Sequence, residues 1–168
     1  GLGEKVRWCA YLSAVRFDAA LAQSMRRAGC VGINFTGPAA TPSMLRAYGV
    51  SHRVEDLAAA VRAARAAGIT VMVDLMLGGP GETPATARQA VEYLRILKPD
   101  CVGAALGVRL YPGLALTRRI AAEGPMETNP AIRRRYDGPV HLLRPTYYMA
   151  QALGRRPAAL VRDIIAGD

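Results

Sequence analysis

Apolar residues recur along this chain in two alternating rhythms. Val6 to Val15, VRWCAYLSAV, reads as a strand, and Phe17 to Gly29, FDAALAQSMRRAG, carries apolar residues at helical spacing and stops on a glycine suited to a C-cap. Cys30 to Phe35, CVGINF, is a short, nearly continuous apolar run, the pattern of a strand covered on both faces. TPSMLRAYG predicts a short helix and Val54 to Gly68 a long one, with Ser51 and His52 just ahead of it as capping candidates. Ile69 to Leu77, ITVMVDLML, is the clearest strand, β-branched and short. Thr83 as N-cap and Pro84 at the first helical position open a helix to Leu97. Cys101 to Tyr111 predicts a fourth strand, LALTRRIAAEG a fourth helix, and Pro157 to Ile165 a last one.

Strand and helix thus alternate four times, with short connections after the helices. That is the signature of right-handed βαβ units around a parallel sheet, an α/β fold. Four units make either a small open sheet or one arc of a (β/α) barrel, and periodicity does not choose between them. From residue 125 onward proline, aromatic and charged residues become more frequent, so 125–168 is expected to wrap the edge of the unit formed by 1–124, with Tyr147 and Tyr148 packing it down.

Composition narrows the class. A chain of 168 residues with 51% apolar side chains buries the core of one domain. The charge, 22 − 13 = +9, invites a nucleic-acid partner, but most arginines fall on solvated helix faces and only Arg133-Arg134-Arg135 forms a run, so composition argues against one. Cys9, Cys30 and Cys101 are too widely spaced for a disulfide framework or a metal cluster. His52 and His141 fall in no ligand spacing and read as structural or solvent-facing. No apolar run has the length of a membrane span, which leaves the reducing cytoplasm as the expected location. The opening GLGEKVRW lacks an initiator methionine and already enters an apolar stretch, as expected of a piece cut from a longer protein.

In parallel α/β domains ligands bind beyond the carboxyl ends of the strands. The loops selected by that rule follow Leu12, Phe35, Leu77 and Leu110. Of these, GGPGET after Leu77 has the strongest physical case: glycines bring main chain close to a ligand, proline stiffens the turn, and the next helix start offers free N–H groups. Glu82 either accepts from those N–H groups or faces a ligand hydroxyl or amine. The alternative is a tight strand-to-helix turn capped by Thr83.

DLMLGGPGETPATARQAVEYL resembles the fifth-strand segment of the radical S-adenosylmethionine (radical SAM) superfamily, which often reads apolar-x-Gly-x-Pro-Gly-Glu-Thr before a helix. Neighbouring segments agree in order and spacing: FDAALAQSMRRAGCVGINF resembles the family's third helix and fourth strand, and VGAALGVRLYPGLAL its sixth strand with a Tyr-Pro-Gly turn. The resemblance covers Val6 to Glu123, and LLRPTYYMAQALG is similar to endings in the cobalamin-associated branch.

It implies a partial (β/α) barrel, about four βα units of a (β/α)6 radical SAM barrel, comprising strands three to six in residues 1–124. It further implies a parent enzyme in which a missing N-terminal barrel half binds a 4Fe-4S cluster that reduces S-adenosylmethionine to a 5′-deoxyadenosyl radical acting on an unidentified substrate. The branch leaves room for cobalamin in that parent. The family's CxxxCxxC loop is absent, so this chain alone supplies no cluster ligands and is expected to be inactive by itself. Carried over by position, Leu77 lies against the adenine, Gly78, Gly79 and Gly81 bring backbone near it, and Glu82 closes the turn. Asn34 hydrogen-bonds ribose or substrate, and Arg109 meets the cofactor carboxylate or pairs with Asp74. For Leu77 and Asn34 the alternatives are core packing and a satisfied loop amide. Where many relatives carry an acidic residue and a serine after the fourth strand, this chain has Pro38 and Ala39, which removes a carboxylate often found near cofactor or substrate. A non-catalytic α/β binding or scaffold domain that keeps a nucleotide-shaped cleft is the alternative function.

Overall fold

A computed structural model describes residues 6–37 and 39–167; the segment 1–5 and Pro38, which the sequence reading singled out, lie outside the described residues. Four parallel strands form one sheet in the order β1 (Trp8–Leu12), β2 (Cys30–Gly37), β3 (Thr70–Leu77), β4 (Cys101–Leu106). Strand order follows chain order, so each crossover moves one place along the sheet, which is how a barrel wall grows. The crossovers carry α1 (Ala19–Arg27), α2 (Pro42–Tyr48), α3 (Val54–Ala66) and α4 (Pro84–Leu97). The fold is α/β, a four-stranded arc of parallel β/α wall.

Register separates two faces. Ile33 lies beside Val71, Phe35 beside Val73, and Leu75 and Leu77 continue that face, all buried. Against it pack Ala22, Leu57, Ala60, Val61, Ala64, Ala87, Ala90 and Leu94, with Val161 and Ile164 of α6 (Pro157–Ala166). Alanines at the helix–sheet contacts keep the layers close, and Phe17 meets Phe35 edge-on at 5.0 Å. The opposite face carries Tyr11, Asn34, Thr36, Met72, Asp74 and Gly103, and among the described residues no helix covers it. The second strand, expected to be covered on both faces, is therefore covered on one; its other face lines the inside of the barrel wall.

The predicted fourth strand is broken. Gly107, at φ 92°, turns the chain after β4, and β5 (Val108–Leu110) enters a separate antiparallel sheet ordered β5-β7-β6, with β6 (Ile132–Arg133) and β7 (Thr146–Tyr148). That sheet draws strands from both sides of residue 124. Helix α5 (Ala115–Ala122) is tied to the end of α2, where Arg119 Nη2 donates to the Ala47 carbonyl at 2.8 Å. The cap of α3 is Arg53, whose N–H donates to Asp56 at 2.7 Å, instead of Ser51 or His52. His52 is buried just ahead of it, with neither ring nitrogen hydrogen-bonded. Among the described residues no helix is long and apolar enough to cross a membrane.

Candidate functional site

The glycine-rich turn after β3 is a joint built from three directions. A Cβ on Gly79 would stand 2.5 Å from two ring carbons of Tyr48, so glycine here makes room for a phenol whose hydroxyl donates to the Met76 carbonyl at 3.3 Å. Gly78, at φ 93°, faces the Met149 sulfur, and its carbonyl accepts from the Ala150 N–H at 2.8 Å. The end of β7 is thereby strapped to the turn. The Leu77 carbonyl accepts from Gly107 at 2.7 Å and the Gly79 carbonyl from Glu82 at 3.0 Å. Gly81, at φ 84°, has open space beside it.

Glu82 is 2% exposed, and its carboxylate accepts from the Thr86 hydroxyl. Burial pushes its pKa up, while the Thr86 hydroxyl and the Gly78 N–H pull it back. Burial, with Glu82 nearby, also raises the Tyr48 phenol, which the Gly79 N–H partly offsets. Thr83 caps α4: its hydroxyl accepts from Thr86 N–H at 3.2 Å, and the Thr86 hydroxyl accepts from Thr83 N–H at 2.9 Å. Glu82 therefore lies under the loop, bonded to its own helix start.

Leu77 is 1% exposed and points into the core between sheet and helices, away from the open face. Asn34 is 7% exposed on the inner face, where its amide nitrogen donates to Asp74 Oδ2 at 2.6 Å; Asn34 Oδ1 is buried with no hydrogen-bond partner among the described residues. The expected partnership of Asp74 with Arg109 is not formed: no cation among the described residues lies within ion-pair distance of Asp74. Arg109 belongs to β5 instead, its guanidinium donating to the Leu142 carbonyl at 3.1 Å and lying 4.8 Å from the centre of the Tyr111 ring, with Nε unpartnered. Gly103 explains how Asp74 is seated: a Cβ there would fall 2.2 Å from Asp74 Oδ1 and 2.7 Å from the Met72 methyl. A cavity of about 420 Å3 opens beside it, lined by Thr36, Asp74, Met76, Gly103 and Ala105.

The structure thus brings Asn34 to Asp74 and Glu82 to the glycine turn, and keeps Leu77 and Arg109 apart from the Asn34–Asp74 pair. Sequence reasoning missed Tyr48, Gly103 and Met149. Period-2 alternation along β3 does put Asp74 on the face opposite Leu75 and Leu77, a signal that was available. Among the described residues no three His, Cys, Asp or Glu side chains gather where they would hold a metal ion.

This arrangement, an arc of parallel β/α wall with a glycine-rich turn at a strand end, agrees with the chain's relatives. The chain belongs to the radical SAM superfamily, whose family profile matches residues 2–94. Within it the chain is similar to the tryptophan 2-C-methyltransferase of Streptomyces laurentii, 29% identical over 124 residues, 70% of this chain and 21% of that protein. Two structures of the radical S-adenosylmethionine methyltransferase TsrM from Kitasatospora setae are also similar, each 26% identical over 96% of this chain. One, with tryptophan substrate and the cofactor analogue aza-SAM bound, has TM-score 0.83 over 36% of its own chain. The other, with cobalamin and a [4Fe-4S] cluster bound, has TM-score 0.82 over 37%. The chain therefore spans between about a fifth and two fifths of the length of these relatives.

Proposed function

We propose that these residues form the C-terminal part, strands three to six, of the barrel of a cobalamin-dependent radical SAM methyltransferase acting on an indole-bearing amino acid. Residues 1–124 are its barrel wall and 125–168 a tail packed on that wall. The observation that carries the proposal is the match to a tryptophan-bound methyltransferase over 96% of the chain, together with a buried, unpartnered amide oxygen, that of Asn34, on the face that lines such a barrel.

S-adenosylmethionine supplies an electrophilic methyl group and cobalamin a carrier for it. The residues present fit one side of the first. Its adenine edge runs along the backbone of Gly78, Gly79 and Gly81, Glu82 holds that turn from beneath, and Leu77 anchors the strand end from the core side. Arg109, whose buried Nε–H is unclaimed among the described residues, is a cation that a carboxylate could use. A 4Fe-4S cluster does not fit the described residues, which gather no ligand set, so its ligands belong to an upstream half. No residue of this chain is assigned to cobalamin.

The test is incubation of the full-length protein, reconstituted with cluster and cobalamin, with S-adenosylmethionine and L-tryptophan, followed by mass spectrometry. A one-methyl gain on the indole is expected. Cofactor binding without methylation of any indole substrate would overturn the substrate assignment, and no cofactor binding at all would favour a scaffold role.

A further inference from the structure

The inner face between β2 and β3 is dominated by hydrogen-bond acceptors, the second N–H of the Asn34 amide being its one side-chain donor left over among the described residues. Asn34 donates one of its two amide N–H groups to Asp74 Oδ2, and its Oδ1 is buried without a partner among the described residues. Thr36, level with Asp74 in the register, spends its hydroxyl hydrogen on the Leu12 carbonyl at 3.3 Å, which leaves only its lone pairs. Asp74 Oδ1 takes no hydrogen bond from the described residues and lies over Gly103, the only residue type that leaves it room there. Of the residues lining the adjoining cavity of about 420 Å3, Asp74 alone is ionisable; Met76, Gly103 and Ala105 supply an otherwise apolar lining. An oxygen-bearing anion would meet the lone pairs of Asn34 Oδ1, Thr36 and Asp74 against a single leftover N–H. A hydroxyl would satisfy one acceptor and add lone pairs of its own. A primary ammonium brings three N–H donors and a positive charge to three acceptors, one of them a carboxylate.

We propose that Asn34, Thr36 and Asp74 form a recognition site for the α-ammonium of an amino-acid ligand. The proposal rests on the methyltransferase reading above and deepens it. The same ammonium chemistry is carried by the substrate amino acid and by the methionine part of the cofactor, so the assay must separate the two. Asp74 provides the charge, Asn34 Oδ1 a fixed buried acceptor, and Gly103 the space in which the carboxylate sits.

The experiment is isothermal titration of the full-length holoenzyme with two matched pairs. L-tryptophan is compared with indole-3-propionate, which lacks the ammonium; S-adenosylhomocysteine is compared with 5′-methylthioadenosine, which lacks the amino-acid portion. Asp74→Asn keeps one acceptor for the Asn34 amide while it removes the charge and turns the other acceptor into a donor. It is expected to weaken the ammonium-bearing member of one pair about tenfold or more and leave its ammonium-free partner unchanged. Loss confined to the tryptophan pair assigns the site to substrate; loss confined to the adenosyl pair assigns it to cofactor. Thr36→Val, an exposed position, serves if Asp74→Asn folds poorly, with a smaller loss of the same selectivity. Equal weakening of both members of each pair, or none, overturns the ammonium site while leaving the methyltransferase reading intact. A wild-type protein that binds neither adenosyl ligand nor tryptophan overturns that reading, and the ammonium site with it.

Discussion

Replacing Gly79 with alanine tests whether the glycine-rich turn is shaped by packing against Tyr48. The added Cβ would sit 2.5 Å from two carbons of the Tyr48 ring and 2.3 Å from its oxygen, where carbon atoms normally rest about 3.5–4.0 Å apart. Ring and turn must separate by about 1 Å. Neither moves freely: the phenol donates to Met76, and the turn is held by Ala150 on Gly78 and by Gly107 on Leu77. Overpacking of this kind costs about 1–3 kcal/mol, and loss of the phenol hydrogen bond adds about 1 kcal/mol. Gly79→Ala is therefore expected to lower stability by about 2–4 kcal/mol, read as a fall in the urea midpoint on the order of 1 M at unchanged slope. Tyr48→Leu removes the ring, so Gly79→Ala made in that background should cost much less, with a coupling of about 1–3 kcal/mol. An unchanged midpoint in the single variant, or an equal cost in both backgrounds, would refute the reasoning.

Two further variants probe buried ionisable groups. Glu82 has a folded pKa above its unfolded value, so the native state holds its proton more tightly and loses stability as pH rises from about 4.3 through the folded value. Glu82→Gln should flatten the fall in stability across that window in denaturation curves; an unchanged slope would sink the assignment. His52 is the opposite case, since burial lowers its pKa below 6.5, against a smaller upward pull from Asp56. The unfolded chain takes up that proton first, so stability drops as pH falls below about 6.5, and His52→Met should make the drop shallower. Equal acid sensitivity in variant and wild type would show that His52 titrates alike in both states. After anaerobic iron–sulfur reconstitution, the 168-residue chain by itself is expected to show no 4Fe-4S absorbance; a stoichiometric cluster signal would refute the assignment of the ligands to an upstream half.

The architecture was legible because it is written in local rhythm. Helix α4, Pro84–Leu97, lies where Thr83 and Pro84 announce it, and the strand-to-helix alternation gives the parallel sheet directly. The break at Gly107 was not legible, because VGAALGVRLY is continuous in apolar character and only the positive φ of its glycine, set by the partner strand β7, divides it. The site was legible in its parts and not in its pairings. Asp74 was expected to pair with Arg109, but its partner is an amide 40 residues upstream, brought alongside by β2–β3 register instead of by charge attraction. Likewise the glycines of GGPGET suggested close approach of a ligand, and at Gly79 what approaches is Tyr48, from the end of a short helix whose own pattern gives no hint of it.

The uncovered face of the sheet also sorts the three thiols. Cys30 is buried, and burial raises its pKa, which keeps it protonated and inert. Cys9 and Cys101 are exposed on β1 and β4, the first and last strands of the sheet. Three inter-strand spacings put them roughly 14 Å apart along the sheet, against the Cα separation of about 7 Å that a disulfide tolerates. Oxidation therefore cannot join Cys9 to Cys101 within one molecule, and a disulfide between these two exposed thiols joins one copy to another. In air such a chain is headed for cross-linked dimers and chains of dimers, and a reductant in the buffer decides whether a binding measurement on it reports a single species.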